Sequence, residues 1–66
     1  MVIIAEDLEK FITIENINEQ IKNRWTTSYF ITKRIIGENI WNTLDKWDQI
    51  VLEAKTHKLI IESGLL

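Results

Sequence analysis

The residues of this chain that could do acid–base or nucleophilic chemistry are few and scattered. His57 is the single histidine, so a Ser or Thr nucleophile would have only this imidazole as its base. The carboxylate pairs Glu6/Asp7 and Asp45/Asp48 fall where helices are predicted to begin. Acidic side chains stabilise the exposed N–H groups of a first turn, which accounts for both pairs. We therefore predict no catalytic residue.

Metal and cofactor sites are not predicted either. The chain has no Cys, which excludes disulfides and thiolate-held metals. One His cannot form a His cluster, and the carboxylates lack the spacing of an EF-hand. The two glycines, Gly37 and Gly64, lie too far apart for a phosphate-binding loop. We expect no enzyme activity, no cofactor, no metal and no small-molecule substrate.

The length of the chain bounds its size and suggests a partner. Its 66 residues make one domain, 1–66. A domain of this size buries only about 60% of the surface its unfolded chain exposes. Small domains are commonly reinforced by disulfides, metals or oligomerisation. With the first two excluded, we expect a protein partner or a homo-oligomer.

Charge and hydropathy set limits on location. The net charge of −2 gives no strong overall field towards nucleic acid or membrane, although it permits a local basic face. No apolar run approaches 18 residues, so no transmembrane helix is predicted. The apolar start, residues 1–4, is too short for a signal peptide. We expect no membrane association and a location in the cytoplasm of a bacterial host.

The central stretch, residues 14–36, is the longest periodic segment. It contains no Gly and no Pro, and its core-facing positions recur at spacings of three or four. These positions are Ile14, Ile17, Ile21, Trp25, Ser28, Ile31 and Ile35. This is the period of a helix face. It predicts one long amphipathic helix over about 14–36, with Thr13 or Asn16 as N-cap and Gly37 as its stop.

Two further helices flank this stretch. A short helix is predicted over residues 5–12, and a C-terminal helix over about 44–62, with Thr43 as its N-cap. Residues 38–42 form a connection or a single turn. The predicted fold is all-α, with three main helices. The central helix packs antiparallel on the C-terminal helix, and the first helix lies across one end.

The C-terminal helix has apolar residues on more than one side. Its predicted core face consists of Leu44, Trp47, Ile50, Val51, Ala54 and Ile61. Leu52 and Leu59 lie off this face, and Ile60 lies on a third side. Apolar residues on several sides indicate burial on several sides. We predict a protein interface formed by Trp41, Leu52, Leu59, Ile60, Leu65 and Leu66.

Two resemblances suggest different functions. The opening Phe11-Ile12-Thr13-Ile14-Glu15 resembles small phage excisionases, which are helix-turn-helix DNA-binding regulators. This resemblance implies a first helix over 15–24, a turn over 25–27 and a recognition helix over 28–36. Tyr29, Thr32 and Lys33 would face the DNA groove. Arg24, Thr26, Thr27 and Ser28 would bind phosphates. The turn contains no Gly, however, and the apolar stripe continues through it.

The second resemblance covers the whole chain. Residues 3–12, the pattern Ile-Thr-Lys-Arg-Ile-Ile-Gly at 31–37 and the aliphatic helix at 50–59 resemble small head–tail connector (adaptor) proteins of tailed phages. This resemblance implies a non-enzymatic protein whose copies pack side by side in a ring within the virion. A third hypothesis is a phage-encoded inhibitor of a host protein, or an antitoxin-like module.

The backbone of residues 23–28 discriminates between the first two hypotheses. One unbroken helix favours the structural adaptor, and two helices favour the helix-turn-helix protein. Because the apolar stripe stays in phase across this segment, we rank the adaptor first.

Overall fold

The protein is all-α in a computed structural model that describes residues 5–64. Within that range every regular element is helical, as predicted. The elements are α1 (Ala5–Leu8), a 3₁₀ turn (Glu9–Phe11), α2 (Ile14–Lys22), α3 (Ser28–Ile36), α4 (Glu38–Trp41) and α5 (Lys46–Ser63). None of the helices in residues 5–64 is long and apolar enough to cross a membrane.

The prediction of one helix over 14–36 is wrong. Two nine-residue helices, α2 and α3, replace it. Arg24 takes the left-handed conformation at φ +70°, and its N–H donates to the carbonyl of Ile21 at 2.9 Å. The next N–H, of Trp25, donates to the carbonyl of Gln20 at 3.0 Å. These two bonds form a Schellman motif, which closes α2 and turns the chain.

A side-chain hydrogen bond sets the start of α2 but not that of α5. The Thr13 hydroxyl accepts from the N–H of Asn16 at 3.1 Å, so Thr13 is the N-cap of α2. The Asn16 side chain instead donates to the carbonyl of Phe11 at 2.7 Å. The prediction that Thr43 caps the last helix is wrong. Its hydroxyl donates to the carbonyl of Ile40 at 2.7 Å, and the helix begins two residues beyond the predicted Leu44.

The core lies between α3 and α5, with α1, α2 and α4 closing its sides. Leu52, Thr56 and Ile60 form the buried line of α5. Ile31, Thr32 and Ile36 form the buried line of α3. The remaining buried apolar residues are Leu8, Ile12, Ile17, Trp41 and Leu44. Ser28 meets His57, Thr32 meets Thr56, and the carbonyl of Trp41 accepts from Gln49. In these contacts the residue numbers rise along α3 and α4 while those along α5 fall, so α5 runs antiparallel to α3, as predicted.

A pair of buried threonines joins the two helices. The hydroxyl oxygens of Thr32 and Thr56 are 2.6 Å apart, and both residues are fully buried. Thr56 also donates to the carbonyl of Leu52 at 3.1 Å. The Thr32 hydroxyl lies 2.7 Å from the carbonyl of Ser28. Each hydroxyl therefore has a partner, as buried polar groups require.

The predicted core face of α5 is wrong. Trp47 is 70% exposed, Ile61 65% and Ile50 46%, whereas Leu52 and Ile60 are buried. The buried line contains a threonine at its centre, and the exposed side contains three bulky apolar residues, Trp47, Ile50 and Ile61. A hydrophobicity pattern therefore selects the wrong side of this helix, although Leu44 is buried as predicted.

We predict that Thr32→Val and Thr56→Val each destabilise the fold by about 1 kcal/mol, because each removes a buried hydrogen bond with little change of shape. The double variant should lose less than the sum, by at least about 0.5 kcal/mol, because the two sites share one interaction. Urea unfolding followed by tryptophan fluorescence measures the cycle. Thr26→Val, at an exposed position, is the control and should stay within about 0.5 kcal/mol of the parent. Strictly additive losses would show that the pair is not coupled.

Candidate nucleic-acid interface

One segment of the chain is basic because it contains no acidic residue. Residues 20–37 hold four of the eight basic residues and none of the ten acidic ones. This segment comprises the end of α2, the connection 23–27 and all of α3. Its cations are Lys22, Arg24, Lys33 and Arg34. The remainder of the chain is therefore strongly acidic, which the overall charge of −2 conceals.

Aromatic rings line the same segment. The ring centroids of Trp25 and Phe30 are 5.6 Å apart, and those of Tyr29 and Phe30 are 5.2 Å apart. Tyr29 stands edge-on to Trp41 at 5.8 Å. Trp41 is buried in the core, whereas Tyr29 and Phe30 are exposed. The core thus anchors one end of a row of rings that runs out onto the surface of α3.

Two cations lie against these rings. The guanidinium carbon of Arg34 is 5.2 Å from the centre of the Trp25 ring, within the range of a cation–π contact. The Lys33 ammonium is 6.0 Å from the Tyr29 ring and 3.8 Å from a Glu38 carboxylate oxygen. We call the whole set the basic aromatic surface. It consists of Trp25, Tyr29, Phe30, Lys33 and Arg34, together with Arg24, which is exposed and precedes Trp25 in the chain.

An open groove of about 330 Å³ crosses this surface. Its walls are Trp25, Phe30, Lys33 and Arg34, and it ends at Gly37 and Glu38. Exposed aromatic faces beside cations suit a ligand that combines flat rings with negative charge. Nucleic acids have this chemistry, because bases stack on aromatic side chains and phosphates pair with Lys and Arg.

The structure divides the predicted DNA-binding residues. Arg24, Tyr29 and Lys33 lie on the basic aromatic surface. Thr32 does not face outward, since it is fully buried against α5. Thr27 and Ser28 line a different groove, beside Glu53 of α5.

Ser28 is held on the α5 side by its hydroxyl, which lies 3.3 Å from Nδ1 of His57. A carboxylate nearby disfavours phosphate, so these two residues are poor phosphate ligands. Thr26 is exposed in the connection between α2 and α3.

Three members of the basic aromatic surface were not predicted from the sequence. The sequence predicts Trp25 as part of the core-facing stripe, and Trp25 does pack against the core while half-buried. It predicts no binding role for Phe30 or Arg34. A signal was present in the absence of acidic residues from 20 to 37. Averaging charge over the whole chain hides that signal.

The predicted protein interface is mostly interior. Trp41, Leu52 and Ile60 are buried within the chain's own core, so the expectation that they lie on the surface is wrong. The helices α1, α2 and α3 pack against α5 and cover the sides that the sequence left uncovered. Leu59 is partly buried and packs against the same core. Leu65 and Leu66 lie outside the described residues.

Other chemical sites gain no support from the geometry. Residues 5–64 contain no group of three or more His, Asp or Glu side chains placed to hold a metal ion. His57 is exposed and contacts Ser28 without a carboxylate partner in the described hydrogen bonds. No protein-family model, curated protein or solved structure matches this chain.

Replacing Arg24, whose backbone is left-handed, should raise the stability of the fold while it removes a charge from the proposed binding surface. A non-glycine residue in this conformation is strained, so Arg24→Gly should stabilise the fold by about 0.5–1 kcal/mol. The same change removes a cation from the basic aromatic surface. Thermal unfolding should therefore show a higher Tm for this variant than for the parent.

The matched control is Thr26→Gly in the same connection. Thr26 does not have a positive φ, so glycine there should destabilise the fold through the entropy of the unfolded chain. A lower Tm for both variants would show that Arg24 is not strained.

Proposed function

We propose that this chain is a small, non-enzymatic DNA-binding protein that uses α2, the connection 23–27 and α3 as a helix-turn-helix unit. The observation that carries this proposal is the break between α2 and α3. The connection contains a left-handed residue, Arg24, where a Gly is common in such turns. The number of helices in residues 14–36 discriminates between the two hypotheses, and two helices favour DNA binding over the adaptor.

The basic aromatic surface supplies the contacts. In a helix-turn-helix protein the second helix enters the major groove and its N-terminal residues reach the base edges. Tyr29, at the second position of α3, is the side chain best placed for that contact. Arg24 and Arg34 would pair with backbone phosphates, which position a protein on the duplex without reading its sequence. Lys33 already has a carboxylate partner in Glu38, so it is a weaker phosphate ligand.

The charge distribution supports binding by one side of the molecule. Neutralising phosphates releases counterions, so each cation that engages a phosphate adds to the salt dependence of binding. The acidic residues outside the segment 20–37 would repel DNA and limit contact to this surface. A DNA-binding role would place the protein with the DNA of its bacterial host, in the cytoplasm.

Ring assembly as a phage head–tail adaptor is the second proposal. The exposed apolar residues of α5, above all Trp47, favour a protein-binding function. The resemblance to adaptor proteins implies one long central helix. The chain has two shorter helices, α2 and α3, in its place, which argues against ring assembly. Gene neighbourhood tests this proposal, since an adaptor gene should lie beside portal and capsid genes.

If the chain binds DNA, its affinity should fall steeply with salt, and the slope should depend on the cations that contact phosphate. Arg34→Gln should weaken binding to duplex DNA and reduce the slope of log K against log salt by about 0.9, the loss of one phosphate contact. Fluorescence anisotropy with a labelled duplex, titrated at several salt concentrations, measures both quantities. The same titration with the single strand shows whether duplex is preferred, as a helix-turn-helix unit requires.

Lys58→Gln is the matched control for charge. Lys58 is exposed on α5, outside the basic aromatic surface, and lies 4.0 Å from Glu62. Its removal should leave the slope unchanged. The proposal fails if no duplex binding appears at low salt, or if Lys58→Gln and Arg34→Gln weaken binding equally.

A further inference from the structure

The side of α5 that faces away from the core carries a regular apolar seam. We call it the outer face of α5, and it consists of Trp47, Ile50, Ala54, His57 and Ile61. All five residues are exposed. They alternate at spacings of three and four, the 3.5-residue repeat that two packed helices share. A seam with this spacing is shaped to receive another helix along its length.

Ala54 is the low point of this seam. Two open grooves, of about 420 and 410 Å³, flank α5, and Ala54 lines both of them. Val51 and Lys58 border the first groove, and Ile50 and His57 the second. The ridges of one helix pack into the grooves of its neighbour. A second helix can therefore approach α5 most closely where it crosses Ala54.

We propose that the outer face of α5 binds the same face of a second copy of this chain, antiparallel, with a twofold axis at Ala54. The seam is self-complementary about that residue, because bulky side chains seven residues away on each side flank a small one. A twofold axis there places Trp47 opposite Ile61 of the second copy, and Ile61 opposite its Trp47. Such reciprocal pairing is what a twofold interface requires.

Charge selects the antiparallel direction. The first half of α5 and its N-cap carry Asp45, Asp48 and Glu53, with Lys46 as the opposing charge. The second half carries Lys58, which lies 4.0 Å from Glu62 of the same helix, and Lys55, whose ammonium donates to the carbonyl of Glu9 at 3.0 Å, so the net charge of this half is +1. Antiparallel packing places the acidic half of one helix beside the basic half of the other. Parallel packing would instead place like charges together.

The proposal is independent of DNA binding, since α5 contributes no residue to the basic aromatic surface. It also differs from a ring. A ring requires two different patches that meet head to tail, whereas a twofold pair uses one patch twice and stops at two copies.

Disulfide trapping tests the geometry. The natural chain has no Cys, so an introduced thiol reports on one position alone. Ala54→Cys lies on the proposed axis, and oxidised glutathione should link it to its counterpart as a covalent dimer. Ile61→Cys is the matched control on the same exposed seam. Seven residues of helix on each side of the axis would hold its two copies about 21 Å apart. A disulfide requires Cα atoms within about 7 Å, so this variant should stay unlinked.

Sedimentation provides the second measurement. The parent protein should form a dimer, and Ala54→Arg should raise the dimer dissociation constant at least tenfold by placing two cations on the axis. Arg is a good helix former, and circular dichroism would verify that α5 remains folded. Asn39→Arg adds the same charge at an exposed position of α4 and should leave the dimer intact.

Three results would overturn the proposal. One is a parent protein that stays monomeric at high concentration. A second is efficient linking of Ile61→Cys, which indicates parallel packing or random collision. The third is an assembly larger than two copies whose Ala54→Cys variant does not link.

Discussion

The contact between Thr32 and Thr56 fixes how this molecule is assembled. Two hydroxyl groups that lose water must find each other or a carbonyl, and only one rotation of α5 brings Thr56 to Thr32. That rotation buries Leu52 and Ile60 with Thr56. It leaves Trp47, Ile50 and Ile61 on the surface. The rotation of α5 that pairs the two threonines is thus the one that leaves these three large apolar side chains outside.

The fold class and several helix ends follow from local chemistry. Thr13 caps α2 because its hydroxyl reaches the N–H of Asn16. Gly37 and Gly64 follow α3 and α5 with positive φ, a conformation that glycine adopts without strain. These signals involve residues close in sequence, and a sequence alone can therefore predict them.

Two predictions are wrong, the single central helix and the core face of α5, because hydrophobic periodicity omits the interactions that decide them. The break at residues 23–27 depends on Arg24 accepting a left-handed conformation, at a cost of order 1–3 kcal/mol. The rotation of α5 depends on a polar pair that links residues 24 positions apart. Hydrophobic periodicity contains neither quantity, since it records apolar side chains and not hydrogen bonds or backbone strain. The apolar stripe remained in phase across the break because Ile17 and Ile31 face the same core from separate helices.

The sequence indicated the candidate site only in part. Arg24, Tyr29 and Lys33 follow from the comparison with a helix-turn-helix unit, and in the structure the Lys33 ammonium lies 6.0 Å from the Tyr29 ring. The predictions that Thr32 faces DNA and that Leu52 lies in a protein interface are wrong for the same reason, since both side chains are fully buried between helices. A threonine that follows two exposed aromatics on a helix resembles a surface residue until its buried partner on another helix is known.

The separation of charge along the chain leaves one net-positive segment, residues 20–37, on a molecule whose net charge is negative. A polyanion would repel such a molecule weakly at long range, because the net charge is negative. At short range the field of the polyanion would attract this segment and repel the acidic remainder, which would turn α3 towards the polyanion. Encounters with the polyanion would therefore be rare but correctly oriented. Added salt would weaken this orienting force before it weakened close contacts.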